Sequence, residues 1–234
     1  MPRPSDPNAK EKLLRAAEAE FAEKGLVRAK VEDITARAGL SKGSFYLHFQ
    51  SKEDAFRNLV EGVLSRLGCF VDGEEMSAQE LERLCGAPAA LIEDWQSRDL
   101  ETFEFIWQNR GLMGVVMEGG GGADYRHLVD TFADRAASRI AERLQRGVSF
   151  GVYRADLDIH TASLFIAGAY DRYARRVVRS AERPDLAAEL RALRSMVLRA
   201  IGTPAVVALV ESAAEAPAKP PRKRRKPKNT EEAA

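Results

Sequence analysis

The chain has 234 residues, of which 45 % are hydrophobic and 30 % charged, with a formal net charge of +1. That length allows one or two domains with a sizeable core, and the near-neutral total averages unlike regions, so it singles out no partner. Cys69 and Cys85 make no disulfide framework and no Cys-x-x-Cys pair, and neither a signal peptide nor a run of about 18 apolar residues is present, so a cytoplasmic protein is expected.

Strand alternation is absent, and Ala, Leu, Glu and Arg dominate, which gives an all-α reading. The first helix starts at Asn8, a candidate cap after Pro7, and runs to Lys24, with Leu13, Ala17 and Phe21 on one apolar stripe. Gly25 ends it. A short second helix covers residues 31–38, and Gly39 breaks it. Ser41 caps a third helix over 42–49. Ser51 and Asp54 then have capping-box spacing at the start of a fourth helix. Its Phe56, Leu59, Val60, Val63, Leu64 and Leu67 exceed one stripe, so this helix is expected to touch two layers or two domains.

After Gly68 the composition loosens, and further helices are expected over 78–96, 99–117, 124–149, 156–180 and 184–201. Pro184 suits the first turn of the last of these, and Thr203-Pro204 could open one more. The glycines at 119–122 read as a turn, since they lack the trailing Lys-Ser/Thr of a phosphate loop. From residue 213 the chain is rich in Ala, Pro, Lys and Arg, which predicts a disordered tail. Seven basic residues between Lys219 and Lys228 make it either a solubilising tail or a sequence-independent DNA clamp. The domain reading is 1–68, 69–212 and the tail 213–234.

Residues 31–49 form two short helices joined at Gly39, the helix-turn-helix layout. Phe45 and Phe49 share one face and pack against Phe21, Ile34 and Leu59, while Tyr46 points elsewhere. The outward side is short, polar and basic at its start, as a major-groove reading helix requires. Gly43 permits close approach, Ser44 and His48 offer hydrogen bonds, and Lys42 reaches a guanine edge or a phosphate. Tyr46 offers a ring to a thymine methyl, and Lys52 is placed for a backbone contact.

The stretch "VEDITARAGLSKGSFYLHFQSKEDAF" resembles the DNA-binding domain of the TetR (tetracycline-repressor) family of bacterial regulators. The likeness covers about residues 8–68, and its most specific part is the Ala-Gly-Leu-Ser-x-Gly-Ser-Phe-Tyr-x-His-Phe core followed by Lys52. It implies an N-terminal three-helix helix-turn-helix DNA-binding domain. A fourth helix joins this to a larger helical ligand-binding and dimerisation domain. By matching position, Ser41, Lys42, Gly43, Ser44, Tyr46 and His48 lie at the groove, with Thr35 and Lys52 nearer phosphates. The family usually has Thr or Ser before the second helix; Lys30 stands there instead, which removes a cap hydroxyl worth about 1 kcal/mol and leaves either a phosphate contact or a solvated lysine.

The resemblance further implies a homodimer on a palindromic double-stranded operator, nucleoid-associated when bound. In the second domain, candidate pocket residues are Trp95, Phe103, Trp107, Met113, Phe165 and Tyr170, with Arg110 or His127 as polar anchors. Candidate dimer residues are Phe165, Ala169 and Tyr173 with the stripe Leu186, Leu190, Leu193 and Val197. His127 and His160 belong to no metal-ligating pattern, so neither metal nor cofactor is expected. The functional expectation is a DNA-binding transcriptional regulator, a repressor released by a small apolar or amphipathic effector. The alternatives are a regulator without a small-molecule inducer, acting through a protein partner or as an activator, and an enzyme on the same fold, for which no nucleophile–base pair speaks.

Overall fold

The computed structural model describes residues 7–72, 87–117 and 123–214. These residues form ten helices: α1 (Ala9–Arg28), α2 (Val31–Ala38), α3 (Lys42–Tyr46), α4 (Lys52–Asp72), α5 (Pro88–Gln108), α6 (Arg110–Met117), α7 (Ala123–Ser149), α8 (Ile159–Arg179), α9 (Leu186–Ile201) and α10 (Pro204–Ala214). The glycine run and the basic tail lie outside the described residues.

The first three helices pack around aromatic rings. Leu13, Ala17, Phe21, Ile34, Phe45, Phe49 and Phe56 are fully buried together. Phe21 meets Phe56 edge to face at 5.1 Å. Each such side chain contributes about 1.5–3 kcal/mol by leaving water, so the aromatic content near residue 45 is what holds so small a unit. Gly25 breaks the α1 conformation at φ 72°, after which a last turn runs to Arg28, beyond the end expected at Lys24. Asn8 stands at the N-cap of α1 without a side-chain cap bond. Gly39 ends α2 at φ 67°, a conformation that favours glycine, and this turn sets the angle between α2 and α3. The Ser41 hydroxyl accepts from the Ser44 amide at 3.1 Å. Regular helix ends at Tyr46 rather than 49, but the Phe49 amide still reaches the Phe45 carbonyl at 2.9 Å and its ring stays inside.

At the start of α4 the Asp54 amide donates to the Ser51 hydroxyl at 3.1 Å. The Asp54 carboxylate answers one residue earlier than a standard box, accepting from the Gln50 amide at 2.9 Å. The helix runs through Gly68 to Asp72 and has the two apolar sides its sequence requires. Phe56 and Val60 belong to the N-terminal core, Leu67 to a second core with Phe103, Met113 and Val177, and Val63 and Leu64 touch both.

The later helices differ from the sequence reading in their breaks. There is no interruption at 97–98; α5 continues to Gln108, and it ends at Asn109, whose backbone leaves the helical range at φ −103°, ψ 16° and whose side chain donates to the Phe105 carbonyl at 2.7 Å. Asp158 and Asp185 cap α8 and α9, so Pro184 precedes the cap instead of entering the first turn. The Thr203 hydroxyl donates to the Gly151 carbonyl at 3.2 Å, so it ties α10 to the α7–α8 connection.

Polar contacts from α7 and apolar packing of α6 join the N-terminal unit to the rest. The Tyr125 hydroxyl of α7 donates to the Glu53 carbonyl at 2.9 Å, while Arg135 and Arg139 of α7 bind Asp72, the latter at 3.1 Å. Helix α7 thus grips α4 at both ends. Helix α6 lies against α1, where a β-carbon at Gly111 would fall 2.7 Å from the Ala22 methyl. A helical Gly→Ala change ordinarily gains about 1 kcal/mol, but overpacking costs about 1–3 kcal/mol. We expect Gly111→Val to lower stability by about 1–3 kcal/mol; thermal unfolding checks this, and an unchanged or raised Tm would argue against the α1–α6 contact.

Candidate nucleic-acid interface and ligand cavity

The short helix α3 and its flanks present one outward surface. Ser41, Lys42, Gly43, Tyr46 and His48 are exposed, Ser44 is half-buried, and Tyr46 is 58 % exposed against the edge of the Phe45 ring. Leu47, apolar and therefore not an expected groove residue, is 76 % exposed. It sits four residues after Gly43 and three after Ser44, so helical spacing assigns it to the same face. The Lys42 ammonium is ion-paired with Glu32, which faces it from the first turn of α2. Lys30 is exposed at the α2 N-cap and makes no side-chain cap bond.

Two residues expected near phosphates are placed otherwise. Thr35 is buried, and its hydroxyl donates to the Glu32 carbonyl at 3.0 Å, inside α2. The Lys52 ammonium donates to the carbonyls of Val27 and Ala29 at 2.9 and 3.0 Å. It closes the end of α1, because the chain between Gly25 and α2 leaves carbonyls that no helix satisfies.

Behind this surface an ionic lattice fixes α2 on α1. Glu20 is buried, with Lys24 at 2.7 Å from one carboxylate oxygen and Arg37 at 2.8 Å from the other. Lys24 also bonds Asp33 at 2.9 Å and Arg37 bonds Glu23 at 2.8 Å. The Lys24 bond, joined by Arg37, holds the Glu20 carboxyl below its usual range despite burial.

The larger unit encloses a cavity of about 520 Å³, within the size range of small-molecule sites. Val60, Val63 and Leu64 of α4 and Leu112, Met113 and Val116 of α6 form one wall. Of the expected pocket residues, Trp95, Phe103, Met113 and Tyr170 line it. The others do not. Trp107 is stacked under the Arg110 guanidinium at 4.0 Å, and Arg110 and His127 are exposed. Phe165 is on the outer side of α8 and 67 % exposed. Equal spacing of large residues on α5 and α8 concealed which side faces inward.

One polar cluster lies in the wall of the cavity. The Asp99 carboxylate accepts from the Tyr170 hydroxyl at 2.7 Å and from Arg194 Nε at 2.9 Å, and Arg194 also reaches the Tyr170 oxygen at 3.1 Å. Burial and the neighbouring Asp99 push the Tyr170 phenol up; burial opposes the Arg194 charge, but Asp99 more than offsets it. Nothing in the sequence marks Arg194 and Asp99 as partners; they meet only because α5 and α9 are adjacent.

The expected dimer stripe is largely interior. Leu186 and Leu190 are buried in the core of α8 and α9, and Leu193, Val197, Ala169 and Tyr173 are half-buried, with the Tyr173 hydroxyl donating to Glu189 at 2.9 Å. The exposed large apolar side chains on these helices are Leu164, Phe165 and Met196, the last 69 % exposed. The Tyr173–Glu189 and Tyr170–Arg194 bonds set α8 and α9 antiparallel, which brings Met196 level with the Phe165 end of α8.

Residues 13–59 match the family model for bacterial regulatory proteins of the tetR family. The chain is 30 % identical over 155 residues to the HTH-type transcriptional repressor KstR2 of Mycobacterium tuberculosis, covering 66 % of this chain and 74 % of the relative. The fold is similar to SmeT, the repressor of the Stenotrophomonas maltophilia multidrug efflux pump SmeDEF, with a TM-score of 0.63 at 24 % identity over 84 % of this chain and 92 % of the other. A SmeT–triclosan complex aligns with a TM-score of 0.66 at 21 % identity, covering 85 % of this chain and 93 % of that one.

Two variants test the supports of the interface. Lys52→Ala removes a charged donor from two carbonyls and should lower stability by about 1.5–3 kcal/mol, read by denaturant unfolding. Because the folded pKa of Glu20 is depressed from 4.5, its contribution is complete above that value and is lost as pH falls through the lowered one. Glu20→Gln should therefore flatten the decline of Tm below about pH 4.5, and an unchanged slope would remove Glu20 from the acid response.

Proposed function

The chain belongs to the TetR family of DNA-binding transcriptional regulators, and from that premise we propose that it is a homodimeric repressor released from a palindromic operator by a small apolar or amphipathic ligand. The observation that carries the reading is the shared wall: α4 and α6 line the cavity and also pack on the unit that bears α3. A ligand that fills the cavity better in one placement of α4 and α6 shifts the population towards that placement. If that placement respaces the two α3 helices of a dimer, operator binding weakens. The repressor names of KstR2 and SmeT, and the triclosan complex of the latter, support this direction.

In this reading α3 enters the major groove with Lys42, Gly43, Ser44, Tyr46, Leu47 and His48 towards the bases. Lys42 exchanges Glu32 for DNA. Lys30 and the flank of Ser41 lie nearer the backbone, while Lys52 and Thr35 act by holding the unit together. The dimer forms through α8 and α9, with Leu164, Phe165 and Met196 in contact across it, a reassignment from the buried leucines. Binding through two heads suits the short α3, since one copy spans too few base pairs to specify a site.

Selection from random DNA identifies the operator, and titration in solution then checks the parts. Tyr46→Ala should weaken operator binding by about 1–3 kcal/mol with Tm unchanged. Phe165→Glu should give a folded monomer by analytical ultracentrifugation that has lost most operator affinity. A Phe165→Glu protein that stays dimeric would move the interface elsewhere. For the ligand step, compounds that raise Tm should also release the operator; ligands that stabilise the protein without affecting DNA binding would oppose release.

A further inference from the structure

We propose that the cavity accepts an amphiphile with an apolar body and one anionic headgroup, and that the Arg143 guanidinium binds the headgroup. This rests on the reading of the cavity as the ligand site and assigns the chemistry of its occupant.

Among the described residues six charged side chains border the cavity, and their pairing is unequal. Asp99 is taken by Arg194 and Tyr170, Asp171 by Arg175, and Arg98 by Asp94. Asp134 is exposed and lies nine residues before Arg143 on α7, about 13 Å along the axis. Arg143 has no carboxylate partner among the described residues. Its Nη2 donates to the main-chain carbonyls of Val71 and, at 3.3 Å, Asp72, at the end of α4. The charges around it are mostly of its own sign: Arg98, Arg139 and Arg146, against the already neutralised Asp99. Surrounding protein and these arginines lower its pKa.

A guanidinium has five N–H donors in a fork that fits a carboxylate or phosphate, and here only Nη2 is engaged among the described residues. The side chain is water-accessible, so a headgroup can reach it without being wholly stripped of water. N-terminal to Arg143 on α7, Val129, Phe132, Ala136 and Ile140 line the cavity beside the exposed Asp134 and offer an apolar track for the body of such a ligand. A cationic ligand would meet repulsion from Arg143 and find the Asp99 carboxylate already occupied.

The test uses the full chain with decanoate, decanol and decylamine, which share one apolar chain and differ in head. Isothermal titration should give decanoate about tenfold or greater preference over both others, as expected for a charge-assisted bidentate contact. Arg143→Met should abolish that preference and leave decanol binding unchanged; Arg143→Lys should keep much of it. Equal or tighter binding of decanol or decylamine, or decanoate preference that survives Arg143→Met, overturns the assignment. Unchanged decanol affinity also shows that the variants keep the cavity intact. A parallel titration of the protein on its selected operator separates the two readings. Preferential decanoate binding that leaves the operator bound upholds the anion site and contradicts ligand release. Release by decanol as readily as by decanoate does the reverse.

Discussion

Helix α4 carries more apolar surface than one neighbour can cover, and the rest of the structure follows from that excess. Phe56 and Val60 need the aromatic core of α1–α3, Leu67 needs α5, α6 and α8, and Val63 and Leu64 are shared. At about 25 cal/mol per Å² of apolar area, neither unit can leave its side of α4 uncovered without losing a large share of its stability. The small N-terminal unit is therefore folded against the larger one, and α6 extends the contact to α1. The same helix is a wall of the cavity, so one set of side chains serves stability, ligand space and the placement of α3.

The N-terminal unit was largely legible in the sequence because its determinants are local. Gly39 with its positive φ, the Ser41 cap, the Ser51–Asp54 pair and the four-residue spacing of Phe45 and Phe49 each act within a few residues. What was misread depended on distant partners. Lys52 looked like a free cation because its acceptors are carbonyls 23 and 25 residues earlier. Thr35 is polar in type, yet its hydroxyl is satisfied within its own turn and its side chain packs inward.

In the larger unit periodicity marked the apolar stripes but not what covers them. Leu186 and Leu190 follow the spacing of an interface and are consumed by their own core; Phe165, in step with Ala169 and Tyr173, stays outside, and so does Met196, which breaks the leucine stripe. The Asn109 break was invisible because no glycine or proline announces it; the Asn109 side chain bonds back to Phe105 instead. Arg194 and Asp99 are 95 residues apart and appear as ordinary surface charges until the helices meet. The ligand chemistry is thus the least local property of the chain and the last to emerge from sequence.

The grip of α7 on α4 has a mechanical consequence. Its two fastenings, Tyr125 to Glu53 and Arg135 with Arg139 to Asp72, are nineteen residues apart on α4, about 28 Å of axial rise. A rod pinned to another rod at both ends cannot slide lengthwise past it. The pair can tilt together, or α4 can roll about its own axis between the pins. Any displacement that reaches α3 through α4 is then angular, and a small rotation is enlarged in proportion to the distance from the pivot.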